Sequence, residues 1–290
     1  MIRPRDPDHR PDPRDQVPQY ALPLVIRVER AAPPHRTDAL EAAARAVLIF
    51  LSDPRVTGEK EEGAEPDGAE GDTSGEWAGA VRAWTDGRIR KVVRRARGAA
   101  WRRASELPGI TVTHGTAEVR VYPPVPVEEW PADLARLQVS GTELEDPETP
   151  PDPPNGLPVL YLNPHLPMTA GKAMAQVGHS AQLAWLAADA TIRSEWKGSG
   201  FALAVRTASP AQWTELLASG LPAVRDAGFT EVAPGSCTVV AQLPTRGDDP
   251  PQPPDARPIA SDRIGHAEQP TRGDDPPEPP EARRTALEQA

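Results

Sequence analysis

Proline most restricts how this chain can fold, because it breaks helix interiors and cannot donate a backbone hydrogen bond within a sheet. Many of the 37 prolines cluster in residues 1–19, in residues 145–155 and after residue 243. Residues 145–155 hold five prolines and four acids, which is typical of an extended, semi-rigid linker. The sequence therefore predicts two folded units at 20–144 and 156–243, with disorder expected in the leader (1–19), an acidic loop near 56–76 and the tail (244–290).

The hydrophobic pattern between these tracts alternates between strand and helix periods. In the first unit it predicts strands at 21–28, 88–94 and 116–122 and helices at 37–51 and 98–107, with Thr37 or Asp38 as the cap of the first helix. In the second unit it predicts, in the order β-α-β-α-β-β, elements at 159–162, 171–188, 201–205, 211–219, 223–226 and 237–242. The predicted fold class is α/β, with a mixed β-sheet flanked by helices in each unit.

A weak internal similarity suggests that the two units are tandem copies, of which the first is degenerate. Leu22-Pro23-Leu24-Val25 is similar to Leu157-Pro158-Val159-Leu160. Aligned on this pair, the first unit has Thr37 opposite Lys172, and Leu107 and Glu118 opposite Asp226 and Thr238. The alignment predicts a first unit without catalytic residues.

Several protein classes are disfavoured by composition. No apolar run approaches the roughly 18–20 residues that span a bilayer, and the charged, proline-broken start is unlike a secretory signal. The single cysteine, Cys237, has no partner for an intramolecular disulfide, and we expect it to be a strand residue rather than a nucleophile. These features predict a cytoplasmic protein that does not bind a membrane.

A basic block interrupts this acidic chain, whose formal net charge is -10. Residues 82–103 contain nine lysines and arginines against one acid, Asp86. One interpretation is a solvated face whose arginines pair with the acidic linkers; the other is an RNA-binding surface. Strong salt sensitivity of RNA binding would favour the second interpretation.

Two clusters in the second unit carry candidate chemistry. One helix face is predicted to carry Lys172, Gln176 and His179. The helix dipole does not favour a cation in the first turn, so a lysine there suggests a nearby anion or oxyanion. Asp226 ends a predicted strand before a Gly-rich loop, a common catalytic position. The alternatives are a solvent-exposed Lys172 with a structurally satisfied His179, and a turn in which Asp226 caps loop amides.

Together the clusters resemble the type 2 peptidyl-tRNA hydrolases, whose pattern has a Gly-Lys-x-x-x-Gln-x-x-His helix before an Asp-Ala-Gly-x-Thr-x-x-x-Pro-Gly-x-x-Thr loop. The likeness covers residues 157–243 and extends to Trp196 and Gly200. It implies hydrolysis of the ester between peptide and tRNA, without metal or organic cofactor. By this resemblance the catalytic residues are Lys172, Asp226, Thr230 and Thr238, and the substrate-binding residues are Gln176, His179 and Gly235.

Peptidyl-tRNA is the partner that this resemblance implies, and the family's dimers suggest either a homodimer or a pseudo-dimer within one chain. Asp226, oriented by the threonines, is expected to position or deprotonate water, while Lys172 stabilises the oxyanion or binds phosphate. Two departures are Ala170, where the family usually has a further lysine, and the Pro-rich repeat from Pro244 that replaces its C-terminal segment. They motivate two alternatives, a catalytically inactive tRNA- or protein-binding module and a hydrolase of another ester or amide.

Overall fold

The computed structural model describes residues 12–58, 75–226 and 232–244. Most of the predicted leader, the acidic loop and the tail therefore lie outside the described residues. The leader's last residues, 12–19, are described, and they include a 3-10 helix at Pro13–Asp15. Arg88 Nε donates to Asp15 at 2.6 Å, so this end of the leader is fastened to the first unit.

The first unit contains a mixed sheet built on β1 (Tyr20–Arg27), β2 (Arg90–Ala96), β3 (Ile110–His114) and β4 (Ala117–Val121). The order is β2-β1-β4-β3, with the short β5 (Val125–Pro126) also pairing with β1. β2 runs parallel to β1, whereas β4 is antiparallel to both β1 and β3. The unit's helices are α1 (Arg36–Leu51), α2 (Pro54–Thr57), α3 (Ala78–Asp86), α4 (Gly98–Glu106) and α5 (Ala132–Ala135).

The second unit has a sheet of the same order and strand directions. Its strands are β6 (Val159–Leu162), β7 (Ala204–Thr207), β8 (Ala223–Arg225) and β9 (Cys237–Gln242), arranged β7-β6-β9-β8. β7 is parallel to β6, and β9 is antiparallel to β6 and β8. Its helices are α6 (Ala170–Ala187), α7 (Ala190–Gly198) and α8 (Pro210–Ala218).

One hydrophobic core joins the units. α1 packs on the first sheet, α6 packs on the second, and the two helices contact each other. Their small and apolar residues form one buried cluster with the inner faces of both sheets, including Leu24 and Leu160. Two smaller clusters cover the outer faces, one around Trp101 and Tyr122 and the other around Trp213 and Val240. Because α1 and α6 are buried against each other, the first unit contributes to the core that positions α6 in the second unit.

The Leu-Pro alignment of the two units is wrong by one residue. Leu22 and Leu24 of β1 face the shared core, but in β6 the residues that do so are Leu160 and Leu162. The backbone agrees, because the carbonyl of Pro23 accepts from Tyr122 next to β4, whereas that of Pro158 accepts from Ala204 of β7. Strand side chains alternate between faces, so a shift of one residue exchanges core and outer positions.

The predicted elements are confirmed with ends shifted by at most three residues, but the structure adds several more. The antiparallel strand β3 and the helices α3 and α7 were missed, so the second unit reads β-α-α-β-α-β-β. The predicted cap of α1 is also wrong: His35 is the N-cap and makes no side-chain cap bond. Thr37 and Asp38 instead bond to other loops, through Asp146 and Thr116 respectively.

The predicted linker at residues 145–155 lies against both units. The carbonyl of Glu145 accepts from the Arg36 backbone at 3.2 Å, at the start of α1. Farther along, the carbonyl of Pro151 accepts from Arg206 Nε in the second unit at 2.8 Å. The segment is thus fixed along the junction, although a domain boundary within it stays a prediction.

Candidate active site

Helix α6 presents Lys172 in its first turn. The side chain of Thr169 is the N-cap and accepts from the Lys172 backbone N–H at 3.3 Å. The helix then runs into the shared core, where Ala173 and Met174 are fully buried. Capping and burial together fix the position of the Lys172 backbone, because a capped first turn does not fray.

Asp226 directly follows the edge strand β8, as the sequence predicted. Its backbone N–H donates to the Ser236 carbonyl at 2.9 Å, and its own carbonyl accepts from the Gly235 N–H at 2.7 Å. Gly235 has a φ of +81°, a left-handed conformation that glycine adopts without strain. Gly235 therefore holds the Asp226 backbone in place, while its predicted contact with substrate stays a prediction.

A β-bulge turns Thr238 toward α6. Val224 pairs with Val239, but the next residue of β8, Arg225, pairs with Cys237, which leaves Thr238 as the extra residue in β9. Val239 faces the shared core, and Cys237 faces the outer cluster. The Thr238 hydroxyl bonds to Gln176 of α6, so the side chains of Thr238 and Val239 lie on the same side of the sheet. Bulges commonly redirect a side chain next to a functional site.

These elements bring four predicted site residues into one hydrogen-bonded chain. Lys172 Nζ forms an ion pair with Asp226 Oδ2. The same oxygen accepts from Gln176 Nε2 at 3.0 Å. Thr238 Oγ1 donates to Gln176 Oε1 at 2.6 Å and lies 3.3 Å from the Val224 carbonyl. Thr238 therefore acts on the carboxylate through Gln176, whose amide orientation it fixes.

The ion pair is largely removed from water. The side chains of Lys172 and Asp226 are only 10% and 5% exposed, and Gln176 is buried as well. Charges in such a place interact more strongly than at the surface, and a broken pair leaves a costly unpaired charge. A carboxylate held by a lysine and an amide can bind and deprotonate water, and the ammonium can face a developing oxyanion.

His179 lies farther along α6, at the contact with the first unit. Its Nδ1 is 3.2 Å from Nζ of Lys91, which also donates to Gln182 Oε1 at 2.6 Å. Burial, with added repulsion from Lys91 and Lys172, holds the pKa of His179 well below its usual value. Burial also holds the pKa of Lys91 well below its usual value. A role of His179 in substrate binding stays a prediction; its described hydrogen bond joins the two units.

Thr230 lies outside the described residues, so its predicted role also stays a prediction. Cys237 is confirmed as a buried strand residue, and burial raises the pKa of its thiol, which disfavours the nucleophilic thiolate. Sequence reasoning missed Lys91, which bonds to α6 from β2. Its position in a basic stretch gave no signal, because only the packing of the two units shows that its side chain is buried.

A cavity of about 490 Å³ lies beside the start of α6. It opens at the carboxyl ends of the parallel strands β6 and β7, where open α/β sheets commonly bind ligands. Its lining comes from both units, since Arg36 belongs to α1 while Asn163, Thr169 and Thr207 belong to the second unit. Asn163 Nδ2 donates to the Cys237 carbonyl at 2.9 Å, which places the cavity next to the Thr238 bulge.

Comparison with known families supports the resemblance at this site. Residues 158–249 match the family model of peptidyl-tRNA hydrolase PTH2. The matched segment contains Lys172, Gln176, Asp226 and Thr238, and it leaves the first unit unmatched. No match was found among curated proteins. Within the described ranges, no helix is both long and apolar enough to cross a membrane.

Proposed function

We propose that this protein is a peptidyl-tRNA hydrolase that cleaves the ester bond between the peptide and the tRNA ribose, in the cytoplasm. The observation that carries the proposal is the buried Lys172–Asp226 pair, braced by Gln176 and Thr238, within the segment that matches the PTH2 family. The sequence placed these residues on three separate elements. Their convergence is what a hydrolytic site requires.

The proposed reaction begins with water bound to the Asp226 carboxylate. The carboxylate takes a proton as the water oxygen attacks the ester carbonyl carbon, and the resulting oxyanion is stabilised by the Lys172 ammonium. Collapse of this intermediate breaks the bond to the ribose oxygen. The proton passes from Asp226 to that oxygen, which leaves tRNA with a free hydroxyl and the peptide as a carboxylic acid.

We further propose that the first unit is a degenerate copy of the second. The support is the shared strand order and strand directions, together with the packing of α1 against α6. Strand pairing gives Asp226 a counterpart in the first unit. Val112 pairs with Val119 in the first sheet, as Val224 pairs with Val239 in the second. Two residues after Val112 is His114, and two residues after Val224 is Asp226, so His114 corresponds to Asp226. His114 bonds to Glu41 and Arg45 of α1, four residues apart like Lys172 and Gln176.

This counterpart corrects the sequence alignment, which placed Leu107 opposite Asp226. The Glu41–His114–Arg45 group lacks a carboxylate in the place of Asp226, and Glu41 also accepts from Arg206 Nη1 at 2.9 Å in the second unit. It thus serves the contact between units. We propose that the first unit takes the place of a partner subunit, giving a pseudo-dimer in one chain.

The test is release of free tRNA from peptidyl-tRNA by the purified protein, beside the Asp226→Asn and Asp152→Asn variants. Asp226→Asn keeps the shape but loses the base, so hydrolysis should fall by about 100-fold or more. Asp152 is exposed, and Asp152→Asn is expected to hydrolyse at the wild-type rate. A folded wild type that binds tRNA without releasing it would instead identify the inactive binding module, and stronger competition by other esters would identify a different substrate.

A further inference from the structure

Five arginines of the sequence's basic block lie at one edge of the first unit. β2 is the edge strand of its sheet, α4 follows it, and α4 contacts α5. We call this surface the basic edge, and its members are Arg94, Arg95, Arg97, Arg102, Arg103 and Arg136. The last four are exposed, and Arg94 and Arg95 are half-buried.

Two arginines of the basic edge are held in place by uncharged acceptors. Arg94 donates to the carbonyls of Ala135 and Leu137 at 3.2 and 2.7 Å, and its guanidinium lies 4.3 Å from the centre of the Trp130 ring. Arg95 donates to Gln138 Oε1 at 2.6 Å and to the Gly141 carbonyl at 2.8 Å. These bonds restrict the side chains without neutralising their charge, so less conformational entropy remains to be lost when a ligand binds.

Few acids oppose this charge, and Glu29, which interacts electrostatically with Arg97, is one of them. Arg103 pairs with Asp133 at 3.3 Å, an exposed contact of the kind that contributes little. Within the described ranges, no carboxylate lies at ion-pair distance from Arg94, Arg95, Arg102 or Arg136. Glu128 and Glu129, both exposed, precede Trp130 and bound the surface on that side. On a chain with a formal charge of -10, this is a local region that attracts anions.

The basic edge is connected to the candidate active site by a short series of contacts. Arg95 bonds to the carbonyl of Gly141, and the next residue, Thr142, accepts from the backbone N–H of Ala170 at 2.9 Å. Ala170 is the first residue of α6 and stands two positions before Lys172. The basic edge therefore adjoins the first turn of α6.

We propose that the basic edge binds the phosphate backbone of the tRNA moiety while its esterified end occupies the site at Lys172 and Asp226. This inference rests on the proposed function. Guanidinium groups bind phosphate through two parallel hydrogen bonds, and the six arginines of the basic edge, two of them held in place, can contact successive phosphates of one chain. The first unit, which has no residues of the matched family segment, thereby supplies substrate affinity, whereas residues 156–243 contain five basic and five acidic residues and have no net formal charge.

The experiment reverses charge at two exposed positions of the basic edge, in the variant Arg97→Glu/Arg136→Glu. The matched control is Arg82→Glu/Lys197→Glu, which changes net charge equally at exposed positions on α3 and α7. Binding of deacylated tRNA is measured by fluorescence anisotropy between about 50 and 200 mM salt. Hydrolysis of peptidyl-tRNA is measured separately. Circular dichroism establishes that each variant is folded.

We expect the Kd for tRNA to rise about tenfold or more at low salt in the basic-edge variant, and the slope of log Kd against log salt to fall by about 1.5–2, because two phosphate contacts are lost. KM should rise with kcat unchanged, and the control should bind like the wild type. Equal loss of affinity in both double variants would show a general effect of net charge and overturn the proposal, as would unchanged affinity in both. Binding of deacylated tRNA needs no turnover. A wild-type protein that binds tRNA through the basic edge but does not hydrolyse peptidyl-tRNA would therefore reject the proposed function and leave the binding proposal standing.

Discussion

The hydrogen-bonded chain from Thr238 to Asp226 predicts that two substitutions affect the same catalytic step. Gln176 donates to the Asp226 carboxylate at 3.0 Å, and Thr238 donates to the other end of the same amide at 2.6 Å. A hydrogen bond to a charged group contributes about 1.5–3 kcal/mol. Taking about 2 kcal/mol, Gln176→Leu should lower kcat/KM by about 30-fold, since about 1.4 kcal/mol corresponds to tenfold.

Thr238→Val should have a similar effect, because valine preserves the shape and removes the hydroxyl that orients Gln176. If Thr238 acts through Gln176, it has nothing left to orient once Gln176 is leucine. The double variant should therefore lose about 2 kcal/mol of transition-state stabilisation, like Gln176→Leu alone, and not about 4 kcal/mol.

The assay is single-turnover hydrolysis of peptidyl-tRNA by the four proteins of this cycle, with Thr214→Val as the control. Thr214 is an exposed residue of α8 whose hydroxyl bonds to the Pro210 carbonyl of its own helix, so its loss should leave hydrolysis unchanged. Additive losses in the double variant would refute the reasoning. They would mean that Thr238 reaches the reacting groups by a route independent of Gln176.

Two further predictions concern the contact between the units. Lys91 has a depressed pKa in the folded protein, so below the usual lysine pKa the unfolded chain binds more protons, and Lys91 makes the free energy of unfolding decrease as pH falls from about 10. In Lys91→Met this contribution to the pH dependence, at most about 1.4 kcal/mol per pH unit, should disappear from the free energies of unfolding measured by urea titration between pH 7 and 10. Lys197→Met, a change at an exposed position, should retain it. Glu41 accepts hydrogen bonds from Arg206 and from the Val205 backbone across the contact between units, so Glu41→Ala should lower the free energy of unfolding by about 3–5 kcal/mol. Because one core joins the units, thermal unfolding of this variant should remain a single transition. Two separate transitions would contradict that coupling.

Local information in the sequence predicted most elements of the fold. The ends of β6 and β9 were predicted without error, and those of α6 and α8 within one residue, because hydrophobic periodicity, Pro210 and Gly220 are local signals. β3 was missed although its β-branched residues and its alternation of apolar and polar side chains favour a strand, because it is only five residues long and its pairing with β4 is not visible in the sequence. The phase of β1 against β6 was wrong for a related reason, since the matching Leu-Pro letters carry no information about which face is buried.

The sequence by itself determined which residues are available for chemistry: a Gly-Lys helix, an Asp-Ala-Gly loop and the Thr238 strand, in that order. The tertiary structure decided how they meet. Lys172 and Asp226 are 54 residues apart and become partners only because α6 packs across the end of β8. The bulge at Thr238 and the inward turn of Lys91 likewise depend on strand register and on the packing of two units. Such contacts follow from the burial of distant surfaces against one another, which local propensity does not encode.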